Sequence, residues 1–325
     1  MMSLYQNFIG IDIGKFTFVA AQHGRKETFE YQYDCNGIQK FLQKFDHLLP
    51  TAFIVLEATG GYERDLLTTL CVKQFVVHRA NTRKVKNFVR SHGNSAKTDA
   101  LDAKALAFYG SERHKLLERF QPVSQNQSDL YALVNRRGDL KRMLTAEKNR
   151  AQAPVKNTFT VNSCLTVIKT LEEQVELLNQ QIKIIISGDK VLKARKRALK
   201  TVPGIGNIVA EELLATMPEL GSLTREQAAS LAGVAPRAND SGKHQGYRRV
   251  APGRNVLKPM LFLAAMAAGH SKSAIGTFYM GLVARGKKKM VALTAVMRKI
   301  IVIANARLKE LTNTEPTKFL VDKSF

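Results

Sequence analysis

Four carboxylates stand where carboxylates are expensive. Asp12 interrupts "IGIDIG" among isoleucines, and Glu57 closes the apolar run "AFIVLE". Asp99 and Asp102 stand three residues apart in "KTDALDAKALA". Helical residues turn by ~100° each, so this spacing leaves the two aspartates about 60° apart on one side of a helix. An unpaired buried carboxylate costs several kcal/mol, and converging carboxylates repel unless a cation neutralises them. All-oxygen donors suit Mg²⁺ or Mn²⁺ rather than zinc. Two such ions ~3.5–4 Å apart can serve the attacking and the leaving oxygen of a phosphodiester. Each acid also has a plainer explanation. Asp99 can be a first-turn acid favoured by the helix dipole, with Thr98 or Ser95 as cap, and Asp102 can pair at the surface. Glu57 can cap the following helix. Asp12 is the hardest to explain in that way, and the four together point to a metal site.

The elements that must hold these acids read as an α/β layer. Phe8–Gln22 reads as a strand turning near Gly14 into a second, and Glu27–Tyr33 as a third. Residues 36–48 have helical spacing, with Ile38, Phe41, Leu42 and Phe45 on one side. Ala52–Gly60 reads as a strand buried on both faces. A helix from about Tyr62, a strand at Gln74–His78, and helices near 79–91 and 96–109 follow. Strands between helices make an α/β fold.

The rest of the chain reads as helical. Residues 129–149 are periodic, and Pro154 interrupts them. Cys164, Ile168, Leu171, Val175, Leu178, Ile182 and Ile185 then recur with 4-3 spacing, a heptad seam that Gly188 ends. It fits a dimer contact or a helix packed on its own domain equally well. "TVPGIGNIVAEELLA" (Thr201–Ala215) has the shape of a helix-hairpin-helix; Gly204 and Gly206 would let a phosphate approach the second helix, or simply make a tight turn. Helices are expected near 225–233, 255–270 and 288–311. The last has Met290, Leu293, Val296 and Met297 as its core face, with Lys287, Lys288 and Lys289 at a basic rim. The stretch 235–254 is long and polar, as functional loops often are.

Charge favours one class of partner over others. The 325 residues carry a net charge of +23, and between Gln227 and Lys309 there are 15 Lys/Arg and one acid, Asp240. Such an excess favours a polyanion, nucleic acid first and anionic membrane second. The first 25 residues lack a signal-peptide pattern, and no apolar run approaches ~18 residues. Three dispersed cysteines form neither a zinc motif nor a disulfide framework. The expected setting is the cytosol, with no membrane.

In their order, "GIDIGK", "LEATGGYE", "KTDALDAKALA", "TVPGIG", "LAGVAPRANDSG" and "MRK" resemble the DEDD transposases of insertion sequences and the related Piv DNA invertases. The resemblance spans roughly residues 8–310. It implies an N-terminal RuvC-like (ribonuclease H) domain at 1–125, a helical coiled-coil segment at 126–190, and a mainly α-helical transposase domain at 191–325 with the helix-hairpin-helix. It implies divalent metal on Asp12, Glu57, Asp99 and Asp102, and Ser241 as a nucleophile that forms a covalent 5′-phosphoserine link. It further implies double-stranded DNA as substrate, a structured bridge RNA as guide, a homodimer or homotetramer, and work beside the bacterial nucleoid. Lys243, Arg248, Arg249 and Arg254 are then candidate phosphate contacts around Ser241. His244 reads as a solvated loop residue before it reads as an acid or base. The competing expectations are a RuvC-like junction nuclease that uses water, a programmed invertase without an RNA guide, a non-catalytic nucleic-acid-binding protein and, remotely, an actin-like ATP-binding protein.

Overall fold

The computed structural model describes residues 5–93, 98–154, 157–238, 240–241, 244–246, 248–250 and 253–314. The chain divides near Pro122 and Val123 into two compact units.

The first unit is built on a five-stranded sheet. Its strands are β1 (Asn7–Ile13), β2 (Thr17–Gln22), β3 (Thr28–Gln32), β4 (Ala52–Glu57) and β5 (Val76–Ala80), in the order β3-β2-β1-β4-β5. β3, β2 and β1 pair antiparallel, while β1, β4 and β5 pair parallel. Helices α1 (Cys35–Phe45) and α2 (Arg64–Val72) cover one face, where Phe41, Phe45, Leu66 and Leu70 pack on Ile9, Ile11, Ile54 and Leu56. Helices α3 (Thr82–Ser91) and α4 (Asp99–Arg113) cover the other, where Phe88, Leu106 and Tyr109 pack on Phe53 and Val55. A sheet covered on both faces explains why β4 reads as continuously apolar. β5 begins later than its composition suggests, because Gln74 turns the chain with a φ of 61°. A strand cannot run through that conformation.

Two glycines set the spacing of this layer. A Cβ on Gly10 would lie 2.1 Å from the Ala103 carbonyl oxygen and 2.2 Å from the Ala107 nitrogen. A Cβ on Gly110 would lie 2.9 Å from Val55 Cγ2. Helix α4 therefore lies directly on β1 and β4, as a glycine inside a strand signals.

Among the described residues the second unit is helical apart from four two-residue strands. α5 (Gln125–Ala151) and α6 (Thr158–Gly188) form a hairpin, crosslinked by Lys148–Glu172 at 2.7 Å and by Arg137 Nη1 donating to Asn179 Oδ1 at 3.3 Å. The heptad positions of α6 are only partly covered except Ile182, which is buried. α7 (Lys190–Lys200), α8 (Asn207–Thr216), α9 (Arg225–Leu231), α10 (Leu257–Gly269), α11 (Ala274–Ala284) and α12 (Lys289–Thr314) follow. Leu293, Val296 and Met297 of α12 are buried as expected, but Met290 is 60% exposed, one turn too early to reach the core. α11 has no counterpart in the sequence reading, since its run "AIGTFYMGLVA" offers no polar face to mark a period. Its Gly276 fits against the Ser271 carbonyl, where a Cβ would come within 2.0 Å.

A buried ion cluster ties α5 to α7 and α8. Arg137, 1% exposed, donates to Glu211 Oε2 at 2.5 Å and lies 3.6 Å from Glu212, while Lys196 donates to Glu211 Oε1 at 2.8 Å. Burial raises the Glu212 carboxyl, and Arg137 opposes that rise. No helix among the described residues is long and apolar enough to cross a membrane.

Candidate functional site

The acidic residues gather at one end and on one face of the sheet. In the parallel pairing of β1 with β4, Gly10 lies beside Val55 and Ile11 beside Leu56. Continued by one residue, this register sets Asp12 beside Glu57. Alternation puts Asp12 on the face of Phe8 and Gly10, and Glu57 on that of Phe53 and Val55. This is the face that α4 covers. Ala103 of α4 packs with Val19, and Val19 is Asp12's partner on β2. Asp102 precedes Ala103, so the first turn of α4 arrives above the ends of β1 and β4.

The electrostatics agree with this placement. The carboxyl of Asp12 is raised from 3.8 to about 6, first by burial and then by the charges of Asp102, Asp99 and Glu57. Only the Ile13 backbone N–H works in the opposite direction. No ion pair among the described residues involves any of the four acids. As placed, no three His, Cys, Asp or Glu side chains among the described residues stand close enough to hold one metal ion. The four acids thus share a field without converging on a single point. Their donors are hard oxygens, which suit Mg²⁺ or Mn²⁺.

Thr98 is the cap of α4, its hydroxyl accepting from Leu101 N at 3.2 Å, and Asp99 and Asp102 both lie in the first turn, where the helix dipole favours an acid. Ser95 lies outside the described residues. Glu57 does not cap α2, because the residue at that helix's start is Glu63.

Glu63 carries a role that the sequence did not announce. It is fully buried and accepts from Thr59 N at 3.1 Å, Thr59 Oγ1 at 3.3 Å and Gly61 N at 2.9 Å. Arg79 of β5 donates to its other oxygen at 2.5 Å. Burial alone would raise its pKa, yet the backbone N–H groups and Arg79 outweigh burial and hold it at about 2. Glu63 therefore fixes the loop that follows Glu57. The hint in "LEATGGYE" was a second acid six residues after the first, but nothing in that spacing announces burial.

In the second unit, Ser241 is exposed on a short hairpin. β6 (Pro236–Arg237) pairs with β9 (Arg249–Val250), and β7 (Asp240–Ser241) pairs with β8 (His244–Gln245). Asp240 accepts from Gly246 N at 3.2 Å and from Arg248 at 2.7 Å, which steadies the chain beside Ser241. The base of this hairpin is clamped: a Cβ on Gly253 would lie 2.2 Å from Gly233 N. Arg254 donates to the Thr216 carbonyl and the Glu219 carboxylate, so its guanidinium serves the fold. Arg249 is exposed and stands opposite Arg237, also exposed. Like charges opposed across a strand pair repel and attract an anion. Arg237 was not singled out in the sequence. Lys243 lies outside the described residues, and Lys287, Lys288 and Lys289 are exposed where α12 begins.

The two glycines of the "PGIG" turn behave differently. Gly204, at φ +88°, lies against α10, where a Cβ would come within 2.3 Å of the Ala264 carbonyl oxygen. Gly206 is the N-cap residue of α8, and a Cβ there would meet open space.

Residues 9–160 match the DEDD-type IS110 transposase family, and residues 196–280 match the transposase IS116/IS110/IS902 family. The pilin gene-inverting proteins of Moraxella lacunata and Moraxella bovis are each 28% identical over 314 residues, spanning 94% of this chain and 96% of the relative. An insertion element IS110 uncharacterized 43.6 kDa protein of Streptomyces coelicolor is 30% identical over 156 residues, 47% of this chain and 38% of that protein. The chain belongs to the IS110 family of transposases, and its activity is that of a DNA transposase or recombinase.

Proposed function

We propose that this enzyme cuts and rejoins DNA at a divalent-metal site formed by Asp12, Glu57, Asp99 and Asp102, with Ser241 as nucleophile. The observation that carries the reading is the gathering of the acids at one end and face of the sheet, where burial and the other three acids push Asp12 up to about 6 and no ion pair among the described residues involves any of them. The sheet order β3-β2-β1-β4-β5, antiparallel then parallel, supports a RuvC-like, ribonuclease H type of first domain. A bound Mg²⁺ or Mn²⁺ supplies Lewis-acid activation and offsets charge on the phosphodiester oxygens.

The chain's own residues do the rest. The Ser241 hydroxyl attacks the scissile phosphorus, its proton passes to solvent or a nearby base, and the 3′-oxygen leaves. This produces a 5′-phosphoserine and a free 3′-OH; attack by another 3′-OH reverses the step and rejoins strands without ATP. Asp240, held by Arg248 and Gly246 N, keeps the strand that presents Ser241 in place. Arg237, Arg249 and the lysines at 287–289 grip phosphates, and the open N-terminus of α8 at Gly206 accepts another as one half of a helix-hairpin-helix. We further propose that a structured bridge RNA selects the DNA, that the α6 seam contributes to a dimer or tetramer, and that the enzyme works in the cytosol on nucleoid DNA.

The test is covalent trapping. Protein, Mg²⁺, guide RNA and nicked element DNA should give a protease-sensitive adduct that is absent in Ser241→Ala and in Asp102→Asn. Cleavage that leaves a free 5′-phosphate and survives Ser241→Ala would establish instead a water-using nuclease. Similarity along the whole length of the two pilin gene-inverting proteins favours a second reading, programmed inversion. An invertible cassette beside the gene would support it; element ends with a structured noncoding segment would support transposition.

A further inference from the structure

Two exposed aromatic side chains stand at the end of the sheet that carries the acids. Phe16, 71% exposed, lies in the tight turn after β1, closed by Gly14 N donating to the Thr17 carbonyl at 2.9 Å. Tyr62, 48% exposed, lies in the loop after β4. One residue joins the two turns: Tyr33 N donates to the Phe16 carbonyl at 2.7 Å, and the Tyr33 hydroxyl donates to the Tyr62 carbonyl. That hydroxyl also accepts from Leu66 N at 3.3 Å, and Glu63 anchors the Tyr62 loop through Thr59 and Gly61. Two large apolar rings are therefore held out in water on braced turns. Lys15 Nζ lies 5.0 Å from the centroid of the Phe16 ring, so a cation accompanies the pair.

We propose that Phe16 and Tyr62 form a stacking platform for unpaired DNA bases next to the phosphodiester being cut. The inference rests on the acidic cluster being the cutting site. Four carboxylates repel a phosphate backbone, so Coulomb attraction cannot seat a strand there unaided. Stacking of a base on an aromatic ring is insensitive to that field and to base identity. A base within an intact duplex is covered on both faces by its neighbours. Only an unstacked nucleotide offers a free face, so the platform selects DNA that is already opened or distorted.

The experiment uses the full chain in EDTA, where no strand is cut. Binding is measured to a DNA duplex with a central bulge carrying aminopurine, to the same duplex without the bulge, and to bulged RNA of equal sequence. Phe16→Ala and Tyr62→Ala should each weaken binding to bulged DNA about fivefold or more and relieve aminopurine quenching. Binding to paired DNA should stay within about twofold, and Tyr62→Phe should behave as wild type, since the ring is what stacks. Equal losses on bulged and paired DNA, no loss on either, or a loss confined to RNA would overturn the proposal. The cutting site is tested separately by Asp102→Asn in Mg²⁺. Normal cleavage by that variant would remove the site reading, and this inference with it, whatever the fluorescence shows.

Discussion

Gly10→Ala is the most informative single substitution. A Cβ at this position would lie 2.1 Å from the Ala103 carbonyl oxygen, 2.2 Å from Ala107 N and 2.8 Å from Leu106 Cβ. Non-bonded carbon contacts need more than about 3 Å, so α4 must withdraw by about 1 Å. Overpacking of this kind costs about 1–3 kcal/mol and lowers Tm by a few degrees for each kcal/mol. The first turn of α4 carries Asp99 and Asp102, and a ~1 Å misplacement can cost about 100-fold in rate. Withdrawal also weakens their field at Asp12 and opens it to water, so its pKa falls from about 6 toward 3.8. The assays are single-turnover cleavage, a thermal melt, and a carboxyl-carbon NMR titration of Asp12. Gly110→Ala is the control, since it crowds Val55 at 2.9 Å, at the far end of the same helix. It should cost stability with a smaller loss of rate. A folded Gly10→Ala protein with unchanged cleavage and an unchanged Asp12 titration would refute the reasoning.

Three further outcomes follow from the electrostatics. Because the fold raises Asp12, its contribution to stability is complete below its ordinary pKa of 3.8 and is lost as pH rises through about 6. Asp12→Asn should flatten that part of the Tm–pH curve, and Mg²⁺ at pH 7 should raise the Tm of wild type but not of the variant; parallel curves would refute this. Glu63 is depressed from 4.5 to about 2, so its contribution is present above pH 4.5 and lost as pH falls through about 2. Glu63→Gln should cost about 2 kcal/mol at neutral pH by denaturant melt, with Arg79 partly compensated by water. Arg137→Met leaves Glu211 and Glu212 without their buried partner and should cost about 3–5 kcal/mol, part of which a second change, Glu211→Gln, restores.

Much of the first unit was legible because its signals are local. Apolar runs of strand length, a cap at Thr98, and charges in core strands are properties of neighbouring residues, and they determined the order of elements and singled out the four acids. Gly10 in "IGIDIG" was legible in principle, as a strand glycine marks a close approach. Met290 shows the limit of periodicity: the pattern gave it the core face, but the helix begins at Lys289 and its first turn overhangs the core. Arg254 shows another, because its charge suggested phosphate while its position delivers it to Glu219. Only tertiary structure could decide which face of β1 meets α4, that Glu63 turns inward to Arg79, and that Tyr33 spans two turns. Those outcomes depend on groups far apart in sequence meeting in space, from Glu63 and Arg79, 16 residues apart, to Gly10 of β1 and Ala103 of α4. A local pattern records that a residue is apolar or charged, and packing decides what it touches.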